Sequence, residues 1–145
     1  MQAFPHFYKV ASEATTDSPV TLKSAGVVDL LSTAPKEFGG SGEEWSPEGL
    51  LVASIADCYI MSFKALARAS SLDWESIACD AVGKLDRVDK VTQFIQYDLM
   101  VSLSIPDTAS RALAERLLQK SKEICLITNS LKGECLLQSE VSGGE

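Results

Sequence analysis

The sequence holds few of the residues that bind metal ions and no excess of those that bind nucleic acids. Its only histidine is His6, and no two cysteines form a C-x-x-C pair, so a zinc site of the usual ligand spacing is not expected. Acidic residues outnumber basic ones by 20 to 13, and the net charge is −7. Because nucleic-acid binding needs a basic surface, that class of partner is not expected either. We expect no metal ion and no other cofactor.

Long apolar runs and targeting segments are also lacking. No stretch approaches the roughly 18 consecutive apolar residues of a transmembrane helix, so we expect no membrane association. The first residues lack the basic and apolar regions of a signal peptide, which predicts a cytosolic protein. In that compartment the four cysteines are expected to be thiols, and any disulfide is expected to be transient.

The first half of the chain predicts a small sheet, a loop and a long helix. Three short β-prone runs are separated by polar turns; they span Phe4 to Val10, Val20 to Lys23 and Val27 to Leu31. The stretch from Thr33 to Trp45 contains three glycines and a proline, which predicts a loop. Ser46 can cap a helix, Pro47 suits its first position and Glu48 its first turn, so we expect a helix from Pro47 to about Ser71.

The second half predicts strands, a helix and a strand. Apolar residues recur at every second position from Ile77 to Leu85 and from Ile95 to Ile105, which indicates two long strands joined by a charged loop, Asp86 to Gln93. The remaining predicted elements are a helix that begins after Pro106-Asp107-Thr108 and ends near Cys125, a strand from Glu134 to Val141, and a loose tail, Gly143-Gly144-Glu145. This order predicts a single α+β domain over residues 1–145 rather than a βαβ fold.

Cys58 lies on an apolar stripe of the long predicted helix and is therefore expected to point inward. That stripe comprises Leu51, Ile55, Cys58, Ser62, Ala65 and Ala69. A lone buried cysteine is most often a small core residue. Here a second cysteine, Cys125, ends another predicted helix, and two thiols so placed indicate redox chemistry. Cys79 and Cys135 are interpreted as packing residues.

Four segments carry a resemblance to a known family. They are Pro35 to Gly40, Ser46 to Leu51, Ala53 to Cys58 and Cys125 to Lys132. In their order and spacing the chain resembles the OsmC/Ohr family of thiol-dependent hydroperoxide reductases. The resemblance implies an intertwined homodimer with the long helices at its centre.

The resemblance also implies roles for three residues. Cys58 would be the thiol that attacks a hydroperoxide, Cys125 the resolving thiol and Glu48 a carboxylate that organises the site. An external dithiol, of the lipoyl kind in the closest relatives, would reduce the resulting disulfide. Glu48 and Cys58 are ten residues apart, a rise of about 15 Å along a helix, so we expect a site shared between subunits.

The chain departs from the family at the cation that stabilises the thiolate. Relatives that reduce organic peroxides use an arginine from the N-terminal sheet or loop, whereas the first arginine here is Arg68. Lys36 and Lys23 are the candidate replacements, although an ammonium cannot make the two-pronged contact of a guanidinium. This leaves an alternative open, namely a non-peroxidatic member that binds a small apolar or electrophilic ligand, or a redox sensor.

Four aromatic residues are candidates for an apolar pocket that would hold the alkyl tail of a peroxide. They are Phe38, Trp45, Tyr59 and Phe63. Each is also a common type of core residue.

Overall fold

The computed structural model describes residues 1–144, which form two compact units, Met1–Leu50 and a second unit that begins at Leu51. The first unit contains an antiparallel sheet in the order β1-β2-β3. Its strands are β1 (Ala11–Glu13), β2 (Val20–Lys23) and β3 (Leu30–Ser32). A single 3-10 turn, Lys36–Phe38, follows the sheet.

The second unit is built on a sheet in the order β4-β5-β6. Its strands are β4 (Ser76–Val88), β5 (Val91–Ser104) and β6 (Glu134–Ser142), and its helices are α1 (Pro47–Ala69, which begins in the first unit), α2 (Arg111–Ile124) and α3 (Leu126–Asn129). β4 and β5 pair antiparallel, whereas β6 returns parallel to β5. The predicted α+β class is confirmed, and the parallel β6 is a feature that the sequence pattern did not specify.

Local interactions explain where the helices and the hairpin begin and end. The hydroxyl of Ser46 accepts a hydrogen bond from the Gly49 N–H at 3.0 Å, as expected of an N-cap. Asp107 likewise accepts from the Ala109 N–H at 2.9 Å, ahead of α2. β4 and β5 meet at a two-residue turn, Asp89 and Lys90, with φ of 50° and 67°. This geometry matches the twist of a hairpin, so the strands extend through most of the predicted Asp86 to Gln93 loop.

The N-terminal strand was misplaced by the sequence pattern. Residues 4–10 belong to no strand in the described chain, and β1 begins only at Ala11. The third strand likewise occupies Leu30–Ser32 instead of Val27 to Leu31. β-branched and aromatic residues favour extended backbone, but a strand also needs a neighbour with which to pair. Of the predicted tail, Gly143 and Gly144 pack against the turn after β5, and Glu145 lies outside the described residues.

The core of the second unit forms around one face of α1. Ile55, Tyr59, Phe63 and Ala67 are completely buried and recur at every fourth position. They belong to one cluster with residues of β5 and α2, namely Tyr97, Leu99, Val101, Leu103, Ala114, Leu117 and Leu118. The buried face is therefore rotated relative to the predicted stripe, since Ala65 and Ala69 of that stripe are exposed. Tyr59 and Phe63 bury far more apolar area than alanines, so they face the core.

The composition of α1 would also suit a membrane. Among residues 1–144 it is the one helix long and apolar enough to span a bilayer, with a mean hydropathy of 1.6 over its most apolar 18 residues. Only 22% of that window is buried in the chain. Its completely buried face is that of a core helix, and this is how we interpret it.

Tyr59 provides a test of this packing. Its hydroxyl donates to the backbone carbonyl of Leu118 at 2.8 Å, and burial raises the pKa of the phenol. We expect Tyr59→Phe to lower the free energy of unfolding by about 1 kcal/mol, because the Leu118 carbonyl loses a buried partner. Urea unfolding followed by circular dichroism measures this loss. Thr92→Val, which removes an exposed hydroxyl from β5, serves as the control, and equal losses for the two variants would contradict the assignment.

Candidate functional site

The structure brings Cys58 and Cys125 together in the second unit. Cys58 is partly exposed beside the buried face of α1, and Cys125 lies between α2 and α3 with 1% of its surface exposed. Both are free thiols. The Cys125 thiol is close enough to affect the ionisation of Cys58. One thiol is thus open to solvent, and a second is shielded next to it.

A break between two helices holds Cys125 in place. The residue is extended, with φ −62° and ψ 106°, so α2 ends before it and α3 begins after it. Its carbonyl accepts hydrogen bonds from the Asn129 N–H at 3.0 Å and from the Thr128 hydroxyl at 3.1 Å. The Asn129 side chain donates to the carbonyl of Glu123 at 3.0 Å, which spans the break. These bonds fix the backbone that carries the Cys125 thiol.

The surroundings of Cys58 disfavour its thiolate. Burial is the main cause that raises the pKa of this thiol, and the neighbouring Cys125 raises it further. The backbone N–H of Ile127 and the hydroxyl of Ser62 act in the opposite direction, because each can stabilise a thiolate as a hydrogen-bond donor. The effect of burial is larger than that of these two donors, so the pKa of Cys58 is raised overall. A neighbouring lysine would shift the pKa downward.

The two candidate lysines belong to the first unit. Lys23, on β2, forms an ion pair with Glu13 on β1 at 2.7 Å, and this hydrogen bond raises the pKa of the lysine. Lys36 lies in the 3-10 turn, and its aliphatic chain covers Gly42, where φ is 74°. A side chain at position 42 would collide with that lysine.

Glu48 lies in the first turn of α1, at a cavity of about 290 Å³ in the first unit. Its Oε2 atom is buried and has no hydrogen-bond partner among residues 1–144. The same holds for the hydroxyl of Thr33, which lines the same cavity. Sequence reasoning singled out Glu48 but missed Thr33, because a threonine after a short strand carries no distinctive pattern. Phe38 also lines this cavity, whereas Trp45 lines a separate hollow.

The other residues that the sequence singled out lie within the second unit. Tyr59 and Phe63 are completely buried, and their place in the core accounts for them. Cys79 on β4 and Cys135 on β6 are half-buried at the margin of the core. Burial raises the pKa of Cys79 to about 11 and also raises that of Cys135. Within residues 1–144 no three metal-ligating side chains cluster.

Comparison with known sequences decides the family. A family model described as OsmC-like protein matches residues 40–140. The chain belongs to this family. A protein of Bacillus subtilis (strain 168), named uncharacterized protein YmaD, is 30% identical in an alignment 147 positions long, which covers 97% of each chain. The resemblance that the sequence motifs indicated is confirmed at the level of the OsmC-like family.

Solved OsmC-like structures share the fold. An OsmC-like protein from Vibrio cholerae aligns over 94% of this chain and 100% of its own, with a TM-score of 0.85 and 19% identity. An organic hydroperoxide resistance protein from Legionella pneumophila aligns over 95% and 99%, with a TM-score of 0.73 and 21% identity. OhrB of Bacillus subtilis, also an organic hydroperoxide resistance protein, aligns over 94% and 98%, with a TM-score of 0.66 and 18% identity.

The ionisation of Cys58 can be measured directly. Ser62→Ala removes a hydroxyl that lowers the pKa of Cys58, so we expect that pKa to rise further and alkylation of Cys58 at pH 7.5 to slow about twofold. Mass spectrometry of the Cys58 peptide after timed iodoacetamide treatment at several pH values gives both the pKa of Cys58 and its rate of alkylation. Ser54→Ala on the same helix, where the hydroxyl donates to Leu51, is the control. A Cys58 pKa below about 8.5 in the unaltered protein would contradict this description.

Proposed function

We propose that this OsmC-like protein is a thiol peroxidase that reduces organic hydroperoxides through Cys58. The observation that carries the proposal is the pairing of a partly exposed thiol with a buried one beside it. Two solved relatives that are named for organic hydroperoxide resistance support it. The acidic chain suits a small neutral substrate better than an anionic one.

In the first step the Cys58 thiolate attacks the distal oxygen of the hydroperoxide. A sulfur–oxygen bond forms as the oxygen–oxygen bond breaks, and the alkoxide leaves as an alcohol after taking a proton. Cys58 is oxidised to a sulfenic acid, and the peroxide is reduced by two electrons. The Ile127 N–H and the Ser62 hydroxyl are the donors that would stabilise the attacking thiolate.

In the second step the Cys125 thiolate attacks the sulfur of the Cys58 sulfenic acid. A disulfide forms as the sulfur–oxygen bond breaks, and hydroxide takes a proton and leaves as water. The burial of Cys125 keeps it from reacting with peroxide itself before Cys58 has done so. An external dithiol in the cytosol then reduces the disulfide by two thiol–disulfide exchanges and returns both cysteines to thiols.

The raised pKa of Cys58 favours a second candidate function. A thiol that is mostly protonated at neutral pH reacts slowly with peroxide, as in a redox sensor or in a protein that binds a small apolar or electrophilic ligand. The two functions differ in rate and in pH dependence. Peroxidase activity carried by Cys58 should increase about tenfold per pH unit between pH 6 and pH 8, because the thiolate fraction does so.

Stopped-flow oxidation of the reduced protein by cumene hydroperoxide tests the proposal. We expect oxidation that depends on Cys58, so Cys58→Ser should slow it about a hundredfold or more. Cys125→Ser should leave the first oxidation intact but allow Cys58 to proceed to sulfinic acid, because no thiol resolves the sulfenic acid. Peptide mass mapping should show a Cys58–Cys125 disulfide in the unaltered protein.

Cys135→Ser is the matched control, since it removes a half-buried thiol outside the proposed pair. It should leave both the rate and the disulfide unchanged. No Cys58-dependent oxidation, or a disulfide that includes Cys79 or Cys135, would overturn the mechanism. Slow oxidation together with tight binding of an apolar ligand would favour the second candidate function.

We also propose that two copies of this chain form an intertwined homodimer. Residues 4–10 carry a row of exposed apolar side chains and have no strand partner among the described residues; they include Phe4, Phe7, Tyr8 and Val10. An exposed apolar row on a segment without a strand partner is typical of a surface that packs against another chain. A dimer would also allow Glu48 of one subunit to serve the Cys58 site of the other, which a continuous helix prevents within one chain.

Native mass spectrometry tests the dimer. Two 15.6-kDa chains should remain together in the unaltered protein, and the double variant Phe7→Asp, Tyr8→Asp should give mainly single chains because it buries charge in the proposed interface. Lys120→Asp, which changes the charge on an exposed part of α2, should remain a dimer. A monomeric unaltered protein at micromolar concentration would contradict the proposal.

A further inference from the structure

We propose that Asn129 is a positioning residue that sets the geometry of both thiols of the proposed pair. The residue lies in α3, after the break at Cys125, and its side chain bonds back to the end of α2. One exposed side chain would thereby influence both steps of the peroxidase cycle. Its effect on Cys125 rests on the proposed function, whereas its effect on Cys58 can be measured without that function.

α3 connects the two thiols. Ile127 lies in the first turn of α3, so its N–H has no partner within that helix and is free to donate to the Cys58 sulfur. The resolving thiol belongs to Cys125, the residue directly before α3. A movement of α3 relative to α1 therefore displaces the donor to Cys58 and the resolving thiol together.

Packing holds only the inner side of α3. Ile127 packs against the buried cluster, and Thr128 is buried. The outer side is exposed at Leu126, Asn129 and Ser130, so it has no comparable packing. Because α2 ends before Cys125, α3 does not continue the hydrogen-bonded ladder of the longer helix. The orientation of α3 therefore needs an attachment on its outer side.

The Asn129 side chain provides that attachment. Its Nδ2 atom donates at 3.0 Å to the carbonyl of Glu123, one of the last four carbonyls of α2, which have no partner within that helix. The main-chain N–H of Asn129 donates to the Cys125 carbonyl, also at 3.0 Å. Among residues 1–144, the Asn129 side chain makes the one side-chain hydrogen bond that joins α3 to another helix or strand. Asn129 thus bonds on both sides of the break.

The position of this bond separates its effect on the thiols from its effect on stability. Asn129 and Glu123 are both exposed, so water can replace the lost donor when the side chain is removed. The fold should therefore lose little stability, while the angle between α2 and α3 becomes free to vary. Hydrogen bonds weaken steeply with angle, and disulfides form only over a narrow range of geometry. Both thiols should respond to such a change.

The pH profile of Cys58 alkylation in Asn129→Leu tests the effect on Cys58. Leucine favours helix more than asparagine does and cannot donate a hydrogen bond, so α3 should persist while the link to Glu123 is lost. We expect the pKa of Cys58 to rise by at least about 0.5 and its alkylation at pH 7.5 to slow about threefold. Timed iodoacetamide treatment followed by mass spectrometry of the Cys58 peptide measures both.

The products of peroxide oxidation test the effect on Cys125. With excess cumene hydroperoxide, the ratio of Cys58 sulfinic acid to Cys58–Cys125 disulfide should rise about threefold or more in Asn129→Leu, because Cys125 reaches the sulfenic acid less often in a productive geometry. Peptide mass mapping measures this ratio. The urea midpoint of unfolding should fall by less than about 0.5 M.

Ser130→Ala is the matched control for these measurements. The Ser130 hydroxyl donates to the Leu126 carbonyl at 2.7 Å, within the same turn and not across the break. This variant should keep the pKa of Cys58 within about 0.2 and leave the product ratio unchanged. Asn129→Ala removes the same donor as Asn129→Leu with less bulk, so it should reproduce both changes and separates the lost hydrogen bond from the added apolar surface.

An unchanged Cys58 pKa in both Asn129 variants, or an equal change in Ser130→Ala, would overturn the positioning role. So would an unchanged product ratio in both variants while the unaltered protein is oxidised through Cys58. Absence of Cys58-dependent oxidation in the unaltered protein would instead reject the peroxidase function. The alkylation profile would then still decide whether Asn129 positions the donor to Cys58.

Discussion

The second unit depends on the burial of one aromatic face of α1. Tyr59 and Phe63 have no exposed surface, and together with Ile55 they occupy the centre of the core. Once these side chains face the sheet, helical geometry leaves Cys58 at the margin of the buried face, where it is neither fully enclosed nor fully solvated. The same burial that stabilises the unit also raises the pKa of the thiol. Stability and reactivity at Cys58 therefore have opposed requirements.

Local sequence signals predicted part of the fold. β2 and the start of α1 lie where the sequence pattern placed them, because a β-prone run and a capping serine followed by proline are local signals. The rotation of the buried face of α1 was not predicted, since two overlapping stripes share Leu51 and Ile55. Only tertiary packing chooses between them, and it selects the large side chains of Tyr59 and Phe63.

The features that the sequence left open depend on residues far apart in the chain. The placement of Cys125 beside Cys58 was implied only by family resemblance, because no local pattern relates the end of α2 to the middle of α1. The parallel pairing of β6 with β5 likewise depends on residues that are far apart in the chain. The family resemblance implied a functional carboxylate at Glu48, but only the structure shows the unpartnered Thr33 hydroxyl in the same cavity. A buried polar atom without a hydrogen-bond partner results from packing, so it cannot be predicted from the spacing of residues in the sequence.

The position of Cys125, at the break between α2 and α3, determines how a disulfide to Cys58 would affect the unfolded chain. A covalent bond from this residue to Cys58 would close a loop that contains β4, β5 and the whole of α2. Such a loop removes conformational entropy from the unfolded state, and for this length the gain in stability is about 4 kcal/mol if the bond forms without strain. Because this disulfide would join elements that are distant in the chain, oxidation would make the second unit harder to unfold and more resistant to proteolysis.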